Sequence, residues 1–199
     1  MRSAKKLAGM LGNRGVEMLP RVRKTVPRSV LVCGGGDTLA DELSSMSIDR
    51  YVVVADAATS IVADAGISID MIVTDLDGIV EDQISLNSDG AVTFIHAHGD
   101  NQTALDRYVG RFIGPVVGTC QCPPPTGMYN LGGFTDGDRA ACICAELGAK
   151  DILLAGFDFD SPSNKVGKSM DVKKRKLRWA KAILDILAES GVRVTYASP

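Results

Sequence analysis

The chain has 199 residues, enough for one domain of ordinary size or one domain with a short appendage. Its 45% apolar and 23% charged residues are a globular composition, which excludes a disordered or fibrous chain. The net charge of -2 hides an asymmetry: residues 1–28 carry eight Lys or Arg against Glu17 alone, leaving 14 basic and 23 acidic groups on the other 171 residues. A body that acidic argues against binding nucleic acid over a broad surface, and any anion it handles calls for a metal ion.

Residues 1–26 read as one or two short helices with a break near Asn13-Arg14-Gly15. This basic stretch (1–28) lacks the apolar core of a secretory signal; its Arg-rich makeup resembles a transit peptide, and a helical lead-in is the preferred reading. No apolar run approaches the ~20 residues of a membrane span, so a soluble protein is expected. Five cysteines, in an odd number and without a disulfide framework, fit a reducing cytoplasm.

From Ser29 the pattern alternates. Ser29–Cys33, Tyr51–Ala55, Met71–Thr74, Ala91–Ile95, Pro115–Thr119, Asp151–Ala155 and Val192–Thr195 read as strands. Helical stretches fall at 37–46, 60–65, 101–113, 136–147 and 172–189, and the acidic residues 81–90 read as turn-rich. Most strands are continuous apolar runs, as expected where both faces are covered. The fold class is therefore α/β: a single doubly wound, mostly parallel sheet in a Rossmann-like three-layer sandwich, spanning 29–199 behind a short helical N-terminal appendage of 1–28. Trp179 is expected in the core.

In such a sheet, ligands bind beyond the carboxyl ends of the strands. There the sequence places Gly34-Gly35-Gly36, Asp56, Asp75-Leu76-Asp77-Gly78, His96-Ala97-His98-Gly99-Asp100-Asn101 and Gly156-Phe157-Asp158. Asp75 and Asp77, one residue apart, project to one side of an extended backbone, where two carboxylates repel unless a proton or cation intervenes. They read either as a solvated turn or as a Mg2+ site, with Asp100 and Asp158 at neighbouring strand ends favouring metal. His96 and His98, the only histidines, are either structural or serve as phosphate donors and acid/base groups. Asn101 can cap the helix that follows it. The glycine loop is either a tight turn or a phosphate cradle, and no Walker lysine follows it. Asp136 reads as a helix N-cap and Arg139 as a phosphate clamp. Seven basic residues between Lys165 and Arg178, Lys168 among them, form either a solvated helix face or, with residues 161–171, a flap over triphosphate.

Four ordered motifs carry a resemblance: Val73-Thr74-Asp75-Leu76-Asp77-Gly78, His96-Ala97-His98-Gly99-Asp100-Asn101, Gly133-Phe134-Thr135-Asp136-Gly137-Asp138-Arg139-Ala140 and Gly156-Phe157-Asp158-Phe159. Over roughly residues 29–190 the chain resembles the archaeal-type 6-hydroxymethyl-7,8-dihydropterin pyrophosphokinases, a family distantly similar to the thiamin pyrophosphokinase catalytic domain. The resemblance implies transfer of diphosphate from ATP to the pterin hydroxymethyl with Mg2+, releasing AMP. On that reading Asp75, Asp77, Asp100 and Asp158 hold or support the metal. One of the carboxylates or His98 takes the hydroxyl proton. The glycine loop, Asp56, His96, Asn101, Asp136, Arg139 and Lys168 hold the substrates, and a homodimer is compatible. Two departures stand near the cleft: Gly34-Gly35-Gly36-Asp37-Thr38-Leu39 in place of a Gly-x-Gly-Pro-Ser-Leu loop, and Ala57 where a Gly commonly follows the Asp. Thiamin pyrophosphokinases carry a C-terminal β-domain that helps bind thiamin, and a sequence that ends four residues after its last expected strand counts against thiamin as the expected acceptor. The alternatives are a thiamin or other small-alcohol pyrophosphokinase, a metal-dependent hydrolase, and a nucleotide- or sugar-phosphate-binding module without turnover.

Overall fold

The computed structural model describes residues 1–159 and 170–198. Eight strands, β1 (Ser29–Cys33), β2 (Tyr51–Ala55), β3 (Met71–Thr74), β4 (Val92–Ala97), β5 (Val116–Cys120), β6 (Met128–Tyr129), β7 (Asp151–Ala155) and β8 (Arg193–Tyr196), form one sheet in the order 6-5-4-3-2-1-7-8. Every adjacent pair is parallel. The chain winds outward from β1 in one direction as far as β6, then returns to place β7 and β8 on the other side of β1. That reversal opens a crevice at the carboxyl ends of β1 and β7.

The helices are α1 (Arg2–Leu11), α2 (Asn13–Val22), α3 (Leu39–Ser44), α4 (Ala58–Asp64), α5 (Val80–Ser88), α6 (Gln102–Tyr108), α7 (Asp136–Leu147) and α8 (Met170–Glu189). Alternate residues of each strand feed opposite faces of the sheet. Val30, Val32, Val53, Met71, Val73 and Phe94 pack with Leu19, Ala140, Ile143, Cys144 and Leu184 from α2, α7 and α8. Leu31, Cys33, Val52, Val54 and Ile72 pack on the other face with Leu39, Leu43, Ala58 and Val62 from α3 and α4. Both faces are covered, which is why the strands read as unbroken apolar runs.

Four features differ from the sequence reading. Residues 81–90 do not form a turn-rich link; most lie in α5. Its polar Gln83 and Asn87 are buried: Asn87 Nδ2 donates to the carbonyls of Ala91 (3.0 Å) and Pro115 (3.0 Å), and its Oδ1 accepts from Gly114 N (2.9 Å). Strand β6 is two residues long, too short for a periodic signal. The first 28 residues are helical as expected, but α1 and α2 do not stand apart: Leu7 and Leu11 are buried with Ile95, Phe112 and Met128 over β4 and β5, while Leu19 and Val22 join the opposite face. Finally, Trp179 lies on the outer side of α8, 65% exposed, rather than in the core. No helix among the described residues is long and apolar enough to cross a membrane.

Candidate active site

The acidic centre begins with two residues whose backbones take the left-handed conformation that side chains disfavour, Asp56 at φ 41° and Leu76 at φ 68°. Asp56 leaves β2 by donating its N–H to Val73 O (2.8 Å), and its buried carboxylate Oδ1 accepts from Thr74 Oγ1 (2.9 Å) and Gln83 Nε2 (3.2 Å). Leu76 inserts its side chain into the core while its N–H donates to Thr74 Oγ1 (2.9 Å). Asp75 and Asp77 therefore flank a buried leucine at a tight bend. Gly78 completes the bend: a Cβ there would stand 2.8 Å from Asp56 Oδ2, so only glycine lets that carboxylate lie against the chain.

The result is three carboxylates, Asp56, Asp75 and Asp77, each offering an oxygen within 4.8 Å of the other two. Burial, followed by the neighbouring Asp77 carboxylate, pushes the Asp56 carboxyl up to about 6. Asp75 is raised by burial and the charge of Asp77, against the pull of His98, whose Nε2 lies 3.3 Å from Asp75 Oδ2. Asp75 Oδ1 is buried and has no hydrogen-bond partner. Crowded hard-oxygen donors with an orphaned carboxylate oxygen fit a small divalent cation such as Mg2+.

His96 near the end of β4 and His98 just beyond it bring two imidazoles, their rings 6.3 Å apart. His96 is buried, with Nδ1 3.0 Å from Thr119 Oγ1; burial and the cationic Arg139 push it down to about 3, so it is a neutral imidazole. His98 is half-exposed beside Asp75. Asn101 sits at the N-cap position of α6 without making a cap hydrogen bond. Its carboxamide joins two strand ends instead: Nδ2 donates to Asp75 O (2.9 Å) and His96 O (2.7 Å), and Oδ1 accepts from His98 N (3.3 Å).

The opposite wall comes from α7 and from the loops after β1 and β7. Thr135, not Asp136, caps α7, in a reciprocal capping box with buried Asp138. Asp136 occupies the first helical position and faces the cavity, where burial and the nearby Asp75 and Asp56 carboxylates hold its carboxyl well above the usual range. Arg139 is buried and anchors the loop before α7: Nη1 donates to Gly132 O (3.1 Å) and Nη2 to Phe134 O (3.2 Å). The glycine loop is turned to β7, with Gly34 N donating to Ala155 O (2.7 Å) and Gly36 N to Gly156 O (2.9 Å). Those two amides are engaged with backbone and do not form an open phosphate cradle.

These elements enclose a cavity of about 550 Å³ lined by Gly34–Gly36, Asp56, Asp75, Asp77, His96, His98, Asp100, Asp136, Arg139 and Asp158, all singled out in the sequence. Asp100 and Asp158 line it but fall outside the three-carboxylate group, whereas Asp56, read from sequence as a substrate contact, is inside it. Lys168 and all but the last two residues of the expected 161–171 flap lie outside the described residues; 170 and 171 begin α8. Lys176 of α8, from the same basic stretch, does reach the cavity. Sequence reasoning missed Gln83, Gln121, Phe134 and Phe157 as site residues. Phe134 and Phe157 stood inside motifs, but nothing in their spacing showed which way they faced.

The family model "6-hydroxymethylpterin diphosphokinase MptE-like" matches residues 4–164, so the match takes in the N-terminal helices, which lie outside the 29–190 span of the motif resemblance. A 6-hydroxymethyl-7,8-dihydropterin pyrophosphokinase of Pyrococcus furiosus is 40% identical over 175 residues, covering 83% of this chain and 74% of the relative. Proteins of the same name from Methanothermobacter thermautotrophicus (39% identity, 83% of this chain, 77% of the relative) and Methanocaldococcus jannaschii (31%, 81% and 75%) are also similar. The chain belongs to the MptE-like family of 6-hydroxymethylpterin diphosphokinases.

Proposed function

We propose that this protein transfers diphosphate from ATP to the hydroxymethyl group of 6-hydroxymethyl-7,8-dihydropterin, releasing AMP. The observation that carries this reading is the Asp56, Asp75 and Asp77 group lining a cavity sized for a small ligand, in a chain whose relatives bear that activity in their names. Asp56, Asp75 and Asp77 would hold Mg2+, with Asp100 and Asp158 close by. Bound there, the ion would neutralise charge on the phosphate oxygens.

The remaining chemistry belongs to the chain. The acceptor oxygen forms a bond to the β-phosphorus while the bond from that phosphorus to the α,β-bridging oxygen breaks, and AMP leaves with the bridging oxygen. The hydroxyl proton passes to the imidazole of His98, whose Nε2 stands 3.3 Å from Asp75 Oδ2 at the cavity wall. Asn101 ties the backbones of Asp75, His96 and His98 together, so the carboxylate and the imidazole are positioned as one unit. Neutral His96 faces the same cavity and can donate to or accept from a substrate without adding charge. A reducing cytoplasm suits the five cysteines, none of which is paired in a disulfide.

The test is an omission experiment. Protein, ATP, Mg2+ and the dihydropterin alcohol together should yield AMP, and leaving out any one should abolish it. AMP formation that persists without the alcohol, or no AMP from folded protein with all four present, overturns the proposal. Thiamin, offered as the acceptor in a parallel reaction, should yield none.

A further inference from the structure

The acidic centre lies at a junction. Asp75, Asp77, His98, Asp100 and Lys176 line the cavity already described and also a second groove of about 640 Å³, which runs along α6 past Thr103, Arg107 and Tyr108. In-line displacement at a phosphorus needs the attacking and leaving oxygens on opposite sides of it. A reacting phosphorus held at this junction has one side for the acceptor and the other for the departing nucleotide.

The two sides differ in chemistry. The cavity is walled by Phe134, Phe157 and Phe159 and by glycines and alanines, a setting for a flat heteroaromatic ring. Among the described residues its cations are Lys176, at the edge shared with the groove, and Arg139, which is left with only its Nε unpartnered. The Arg139 guanidinium donates to Gly132 O and Phe134 O, and the Gly34 and Gly36 amides donate to β7-side carbonyls. His96 is neutral, and Asp56, Asp136 and Asp158 are acids. The groove presents exposed Arg107, whose guanidinium is stacked 5.0 Å above the Tyr108 ring, and faces it with Lys176.

Resting on the diphosphotransferase reading, we infer that the α6 groove is the nucleotide side of the site and the aromatic cavity the acceptor side. Arg107 and Lys176 contact the triphosphate and Phe134 and Phe157 contact the pterin ring. The triphosphate then enters along α6, places its β-phosphorus at the carboxylates, and AMP departs by the same groove. The glycine loop forms the back wall of the acceptor side rather than a phosphate cradle.

The experiment measures binding, not turnover. The full-length protein is titrated with Mg2+ and α,β-methylene ATP, which cannot transfer its diphosphate, and separately with the dihydropterin alcohol. Arg107→Ala removes an exposed charge-assisted contact and should weaken binding of the nucleotide analogue about 10-fold or more, leaving the alcohol within about twofold. Phe134→Ala, at a ring that is 44% exposed, should do the reverse, and Phe157→Leu supplies a second cavity variant that keeps its packing. The assignment is overturned if Arg107→Ala spares the nucleotide analogue, or if the cavity variants weaken the analogue and not the alcohol. If the parent protein binds the alcohol but not the analogue with Mg2+ present, the diphosphotransferase reading itself falls. Tight nucleotide binding with the wrong variant pattern removes only the assignment.

Discussion

Replacing Asp56 with Asn should stabilise the metal-free protein and destroy its response to Mg2+. Asp56 is 6% exposed, and its carboxyl is pushed up to about 6 from an ordinary 3.8, by burial first and by Asp77 second. A raised folded-state pKa means that the native protein holds a proton the unfolded chain has already released. The associated stability is therefore present below about pH 4 and lost as pH rises through about 6. At about 1.4 kcal/mol per unit the rise corresponds to about 3 kcal/mol at most. Partial screening through exposed Asp77 brings this to the order of 1–3 kcal/mol. A carboxamide of the same shape keeps an oxygen to accept from Thr74 Oγ1 and Gln83 Nε2 while removing the charge. In chelator at about pH 7.5, Asp56→Asn should thus exceed the parent by that amount, several degrees in Tm for a chain of this size, and the gap should close near pH 4. Millimolar Mg2+ should raise the parent's Tm by preferential binding to the native state and leave the variant's unmoved. Denaturation at the two pH values, with and without Mg2+, checks this. A variant less stable than the parent in chelator at about pH 7.5, or one that keeps the full Mg2+ response, would refute the reasoning.

Other expectations follow from packing. Gly156→Ala should cost about 2–4 kcal/mol, because Gly156 has φ 69° and a Cβ there would meet Gly34 O at 2.3 Å; urea unfolding measures it, and a loss under about 0.5 kcal/mol would contradict the clasp between the β1 and β7 loops. Leu7→Ala should cost about 2–5 kcal/mol in the same assay, since Leu7 is fully buried; a neutral result would mean that α1 is not part of the core. Asn101→Ala should lower kcat for diphosphoryl transfer far more than it raises KM for either substrate, because it acts through Asp75 and His98; a change confined to KM would place Asn101 in direct contact with substrate instead.

The strands could be read almost to the residue because burial on both faces leaves continuous apolar runs, and the convergence of acids and histidines on one sheet edge followed from strand direction alone. What escaped was set by tertiary contacts. Helix α5 carries Glu81, Asp82, Gln83, Ser85, Asn87 and Ser88, a turn-like composition, and is fixed by Gln83 and Asn87 bonding inward to other segments. Trp179 looked like core by residue type, yet α8 buries Ala180 and Leu184 on its other side. Asp75 and Asp77 were evident as a pair. The third carboxylate was not, because choosing Asp56 over Asp100 depends on the left-handed backbone at Asp56 and the missing Cβ at Gly78. Asn101 matched a cap by position, but its carboxamide turns toward two strand ends, which no spacing rule encodes.

On the proposed function, the Asp56, Asp75 and Asp77 site moves a diphosphoryl group intact from ATP to a pterin alcohol. Phosphorus NMR of the complete reaction tests it most directly. Equal amounts of AMP and a pterin diphosphate ester are expected, with all the phosphorus of the consumed ATP recovered in those two products and both lost in Asp75→Asn. Release of ADP, orthophosphate or free pyrophosphate in place of the ester would contradict it.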